Sequence, residues 1–243
     1  MKKTNLFGMP VVSGVQPYPE GPFPSDDREY FIITYETDIE LLKEIAPKPL
    51  EVVSPYVKFE FIRMPSYGLG DFCESGQVIE VKLNDEVGNY IHRMYLDGAT
   101  SVAAGREVWG FPKMMASPRL YIDQDALVGT LDYGTLRVAQ ASMGLKQKRV
   151  PLDKVKEAAE QPTFVLKSIP HVDGTPRVCE LVKFNLSNVN VKGAWSGSSA
   201  LDLFQHALIP VADLPIKRII SAVHFIADVT VDYGEVVHDY LSK

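Results

Sequence analysis

A lysine set among apolar residues is the most reactive prospect in this chain. Lys113 lies in residues 105–115, which read G-R-E-V-W-G-F-P-K-M-M, with Phe111 and Pro112 before it and Met114 and Met115 behind it. An unpaired ammonium is costly to bury. Two outcomes follow from the residues alone. The side chain can carry its charge past the methionines to water. Alternatively it can release its proton and stand in a dry pocket as a neutral amine, which is a nucleophile. The second outcome needs a large shift. A free lysine titrates near ~10.4, so bringing it to about 7 takes about 4–5 kcal/mol of selective destabilisation of the ammonium. Burial supplies this, and so does a neighbouring cation. In an extended segment Trp109, Phe111 and Met115 share parity with Lys113, which makes them candidates for an apolar pocket wall, while Met114 points the other way.

The elements that must hold this lysine read mostly as short strands. Residues 1–27 carry five prolines and three glycines and are expected as an extended arm that packs over a neighbour or its own domain. Residues 28–35 are aromatic and β-branched, hence a strand. Asp38 precedes a short capped helix over 39–45, which Pro47 and Pro49 end. Strands follow at 56–64, 72–83 and 90–96, and residues 101–111 continue the series. Further strands are expected at 119–122, 126–133, 135–143, 164–169, 178–191 and 216–231, with an edge strand in the tail. Residues 152–161 read as a charged helix stopped by Pro162, and 201–208 as a short helix. Short strands with turn residues between them indicate an antiparallel sheet or barrel. No repeat or linker interrupts residues 1–243, so one domain is expected. The fold class is α+β, mostly β, with a few short peripheral helices.

Composition narrows the function. With 46% apolar and 23% charged residues the chain has ordinary globular content. Its net charge of −6 argues against a nucleic acid partner, and an anionic substrate would have to be attracted by local basic residues. No apolar run reaches the ~18 residues of a membrane helix, and no signal-like stretch follows Met1-Lys2-Lys3, so neither a membrane nor secretion is expected. Two cysteines, Cys73 and Cys179, suit a reducing cytoplasm. The five histidines show no metal-ligand spacing, so no metal site is expected, and no nucleophile elbow or Walker loop is present. Cys73 reads as core filler.

The string G-R-E-x-W-G-F-P-K, followed by D-A-L-V-G-T-L-D-Y-G over residues 125–134, resembles the acetoacetate decarboxylase family. The resemblance continues in D-R-E-Y-F at 27–31, E-S-G-Q at 74–77 and P-R-V-C-E-L at 176–181. It runs from about Gly21 to the last residues. It implies a large barrel- or cone-like sheet and a homo-oligomer, with a dodecamer as the expected size. It also implies conversion of acetoacetate to acetone and CO2 through a Schiff base on Lys113, a mode of lysine activation for which this family is a standing example. Glu74, Glu60 and Arg28 match the family's active-site glutamates and arginine. On the residues alone each reads as a paired surface charge, and Glu60 shares a strand face with Lys58 and Ile62; the matching positions are what single them out. No cofactor is implied, because the lysine imine is itself the electron sink. The chain departs from the family at Met114, where a second lysine usually follows the nucleophile, and this leaves desolvation as the stronger route to a free amine. Two rival readings stand beside the decarboxylase. One is another lysine-imine enzyme, an aldolase-dehydratase or a decarboxylase of a different β-keto acid. The other is a non-enzymatic barrel that binds a small apolar ligand.

Overall fold

In the computed structural model, which describes residues 16–242, the chain is built largely of strands. The first half contains β1 (Phe23–Glu36), α1 (Ile39–Ile45), β2 (Glu51–Ser66), β3 (Gly70–Leu83), β4 (Glu86–Leu96), α2 (Ala99–Ala104) and β5 (Lys113–Met115). The second contains β6 (Ser117–Asp123), β7 (Ala126–Tyr133), β8 (Leu136–Gly144), β9 (Lys148–Arg149), α3 (Leu152–Ala159), β10 (Thr163–Pro170) and β11 (Pro176–Phe184). It ends with β12 (Leu186–Ser196), β13 (Ser199–Leu203), β14 (Arg218–Val231) and β15 (Glu235–Asp239). Of the arm expected over 1–27, residues 1–15 lie outside the described residues, and β1 already begins at Phe23. The Asp38 cap is present: its carboxylate accepts from the Glu40 amide at 3.1 Å.

Three expectations are corrected. Residues 101–111 are not extended: they complete α2 and continue as a π turn, Gly105–Trp109. The expected strand over 178–191 is two strands that part at Asn185. Residues 201–208 are not a helix, because Ser199–Leu203 pairs with β8 through alternating backbone bonds.

Eleven strands form one sheet in the order β15-β11-β10-β4-β3-β2-β1-β14-β12-β9, with β5 beside β4. Most pairs are antiparallel, but β4 pairs in parallel with both β10 and β5, so the sheet is mixed. β11 and β12 are separated only by Asn185, yet they stand seven places apart in that order. Seven spacings in a flat sheet cover about 34 Å, whereas the two residues from Phe184 to Leu186 reach at most about 7 Å. The sheet must therefore roll up until its two ends meet.

Rolling gives the sheet an inside and an outside, both apolar. Outward side chains such as Phe31, Ile33, Phe59, Phe61 and Ile79 pack against a second, four-stranded sheet of order β13-β8-β7-β6. The approach is close at Gly129, where an added Cβ would lie 2.5 Å from the Phe61 ring. Inward side chains such as Tyr30, Ile62, Val78, Met94 and Phe225 line the interior. Burial on both faces explains the near-continuous apolar reading of these strands in place of clean alternation.

Candidate active site

The rolled sheet encloses a cavity of about 400 Å³, and the buried Lys113 forms part of its wall. A parallel pair needs a crossover, and residues 97–112 supply it between β4 and β5. α2 begins at Ala99 and ends on Ala103 and Ala104, all good helix formers, and the π turn continues from it. The carbonyl of Gly105 accepts the amides of both Gly110 and Phe111 at 3.0 Å. Gly110 ends the turn at φ +87°, a left-handed conformation that glycine adopts without strain. Lys113 then pairs with Met94, which continues across the sheet through Gly76 to Glu60 and Ile32. Gly105 also seats the lysine: a Cβ there would stand 2.6 Å from Lys113 Cδ and 3.1 Å from Nζ.

Lys113 is only 6% exposed. Its Nζ donates to Ser101 Oγ at 2.9 Å and lies over the Phe111 and Phe72 rings, at 5.1 and 5.6 Å from their centroids. Glu74 Oε2 is 3.4 Å away, an ion-pair separation longer than the ~2.7–2.9 Å of a charge-assisted hydrogen bond. Burial pushes the Lys113 pKa below the ordinary lysine value; the Glu74 carboxylate opposes this, and Arg28 adds to the depression. Desolvation wins because, besides Glu74 and the Ser101 hydroxyl, the buried ammonium faces the Phe72 and Phe111 rings.

The other charged groups converge on the same space. Arg28 and Glu74 are buried, and Glu60 is half-buried with its carboxyl on the cavity wall. Burial pushes Glu60 up to about 7, against the pull of Lys58 and Arg28 and with the help of Glu74. Arg28 lies 4.8 Å over the Tyr30 ring, which itself stacks on Phe225. The Tyr30 phenol is pushed up to about 12 by burial, so it remains a donor at neutral pH. Among the described residues, Arg28 Nε and Nη1, Tyr30 Oη and Glu74 Oε2 are buried without a hydrogen-bond partner. Buried polar atoms are normally paired. Three donors without hydrogen bonds, on the wall of one apolar cavity beside the Lys113–Glu74 pair, suit a small molecule that carries a carboxylate or carbonyl oxygen.

The structure therefore brings together Lys113, Glu74, Arg28, Glu60, Trp109 and Phe111, which all line the cavity. Trp109 is fixed by donation from Nε1 to the Asp232 carbonyl at 2.8 Å, and Phe111 meets Phe184 edge-on. Met115 is a correction. It is 48% exposed and lies off the cavity wall. Met115 stands in register with Leu96, which is likewise off the wall: on β4 and β5 the lining stops at Met94 and Lys113, while Glu74 and Phe72 carry it further on β3. Met114 is 41% exposed, as expected for the opposite face. Sequence reasoning missed Ser101, Tyr30, Lys58 and Phe72. Tyr30, Lys58 and Phe72 carried a signal, since each stands two residues from Arg28, Glu60 or Glu74 on a strand, whereas Ser101 carried none.

Comparison with known proteins fits this geometry. The family model described as Acetoacetate decarboxylase (ADC) matches residues 8–241. Acetoacetate decarboxylase 1 of Mesorhizobium japonicum is 53% identical over 238 residues, covering 98% of this chain and 96% of that protein. The crystal structure of acetoacetate decarboxylase from Legionella pneumophila superposes with a TM-score of 0.95 at 48% identity, covering 98% of this chain and 96% of that one. The enduracididine biosynthesis enzyme MppR shares the fold at a TM-score of 0.80 and 17% identity, over 96% of this chain and 95% of its own.

Proposed function

This chain belongs to the acetoacetate decarboxylase family, and from that premise we propose that it is a carboxy-lyase that converts acetoacetate to acetone and CO2 through an imine on Lys113. The observation that carries the reading is the buried Lys113 amine in the wall of an apolar cavity that also holds unpaired donors suited to a carboxylate.

The chemistry follows from that arrangement. The neutral amine attacks the ketone carbon and forms a carbinolamine. A proton from a nearby acid lets the hydroxyl leave as water, and an iminium ion remains. The bond between the α-carbon and the carboxylate then breaks. Its electron pair moves into the iminium nitrogen, CO2 departs and an enamine is left. Protonation at carbon and attack by water release acetone and restore the amine. The lysine nitrogen thus does the work of an electron sink.

The remaining residues take roles that their surroundings support. Glu60, pushed up to about 7, is partly protonated at neutral pH, and it can give that proton to the departing hydroxyl or to the enamine carbon. Glu74 and Ser101 orient the Lys113 nitrogen. Arg28 and Tyr30 orient the carboxylate. A full charge-assisted clamp on that group would stabilise the ground state more than the transition state. The apolar neighbours Ile62, Phe72 and Met94 favour loss of the charge as neutral CO2. Incubation with acetoacetate should yield acetone and CO2 in equal amounts. An imine without gas release would instead mark an aldolase-type enzyme, and no imine at all a binding barrel.

A homo-oligomer, with twelve copies as the expected size, completes the reading. Ile122, Leu136 and Leu208 are each more than half exposed, apolar surface that subunit packing would cover. Light scattering should give a mass many times the 27.0 kDa of one chain; a monomer at micromolar concentration would refute the assembly. The free Cys73 and Cys179 support a cytoplasmic location. Among the described residues no helix is long and apolar enough to cross a membrane.

A further inference from the structure

The protein carries a net charge of −6, so its overall field repels an anionic β-keto acid. Thr34, Lys58 and Asn89, with α3, close the lined stretch of β1, β2 and β4 on one side, and there the wall residues Lys154 and Ala158 are exposed, so the cavity opens at α3. Lys58 is half-buried at this opening. Its Nζ donates to Asn89 Oδ1 at 2.7 Å, and Asn89 Nδ2 in turn donates to Gln161 Oε1 at 3.5 Å, just past the helix. An amide oxygen holds the ammonium in place without neutralising it. Among the described residues Lys58 forms no ion pair with a carboxylate, in contrast to Lys82, Lys183 and Lys192. An ammonium has three donors, so two remain for an anion. On β2 the side chains of Lys58, Glu60 and Ile62 share the cavity face, which places Lys58 about 7 Å outward of Glu60. Across the ladder it pairs with Thr34, while Arg28 lies further along β1 on the same wall.

Resting on the decarboxylase reading, we infer that Lys58 is the entry cation of the cavity: it captures the substrate carboxylate at the α3 opening, before Arg28 receives it near Lys113. A charge in a cleft with low-dielectric walls focuses the local potential and raises the capture rate. A single ammonium also suits a passing contact better than a planar guanidinium, which grips a carboxylate with two bonds.

The test uses Lys58→Met and Lys58→Arg with two carbonyl compounds. Acetoacetate is an anion. 2,4-Pentanedione is neutral and condenses with the same amine to give an absorbing adduct. Lys58→Met is expected to lower kcat/KM for acetoacetate about tenfold, with the loss mainly in KM, and to flatten its dependence on salt. Measured on the acid side of the Glu60 value of about 7, where that carboxyl is protonated in both proteins, its rate of adduct formation with the diketone should match the wild type, and Lys58→Arg should restore most of the lost kcat/KM. Equal slowing of both compounds would overturn the inference, since it would show that Lys58 acts on Lys113 or on the fold. An unchanged salt dependence would overturn it as well. If the wild type made no acetone, the decarboxylase reading would fail by itself. Competition of acetoacetate against the diketone adduct would then still report whether Lys58 holds the anion.

Discussion

Replacing Lys113 by alanine or arginine should bring acetone formation close to the uncatalysed rate, a loss on the order of 10⁴-fold or more. Arginine keeps a positive charge in the cavity but does not deprotonate in a protein, so it forms no imine. It therefore separates the nucleophile from the cation. Either change disturbs packing around Gly105, Phe72 and Phe111 and alters the environment of the buried Glu74. Lys113→Met keeps the length of the apolar stem and serves as the control for folding, with circular dichroism and thermal unfolding as readouts. A folded variant of any of the three that retained substantial turnover would remove Lys113 from its role.

The second large effect is expected at Glu60. Its carboxyl is protonated below about 7 because burial disfavours the anion. As pH rises through that value the proton donor is lost, so kcat/KM should fall on the alkaline side with a midpoint near 7. The opposite limb belongs to Lys113. Its pKa lies below that of a free lysine, and the nucleophile is lost as pH falls through it. Glu60→Gln cannot donate that proton. It should lower kcat by about 10²–10³-fold, the usual contribution of general acid catalysis, and the alkaline limb should disappear while the acidic limb remains. An alkaline limb unchanged in Glu60→Gln would assign the proton to another group.

Much of this site was legible in the sequence, and the rest was hidden for physical reasons. The lysine announced itself because Phe111, Pro112, Met114 and Met115 leave an ammonium little polar company. Strand β1 and the Asp38 cap were legible because they depend on local residue types. Residues 101–111 misled because Val102, Val108, Trp109 and Phe111 favour strands, whereas the Ala99, Ala103 and Ala104 pattern and the crossover between parallel strands decide the outcome. Parity placed Trp109 and Phe111 in the cavity by coincidence, since a π turn and a left-handed Gly110 lie within that stretch. It failed for Met115, because at its level the wall is carried by β3, β2 and β1 and not by β4 and β5. Glu74, Glu60 and Arg28 were visible only through family resemblance. The roll of the sheet brings them to Lys113, and no local pattern encodes that roll. Ser101 and Lys58 depend on the same tertiary register.

Chemical trapping tests the imine most directly. The protein is incubated with acetoacetate, reduced with borohydride, digested and mapped by mass spectrometry. The expected result is one covalent adduct per chain on Lys113, of the mass of a reduced acetone imine, which is absent in Lys113→Arg and absent without substrate. Turnover to acetone with no adduct at Lys113, or with the adduct on another lysine, would contradict the imine mechanism proposed for this cavity.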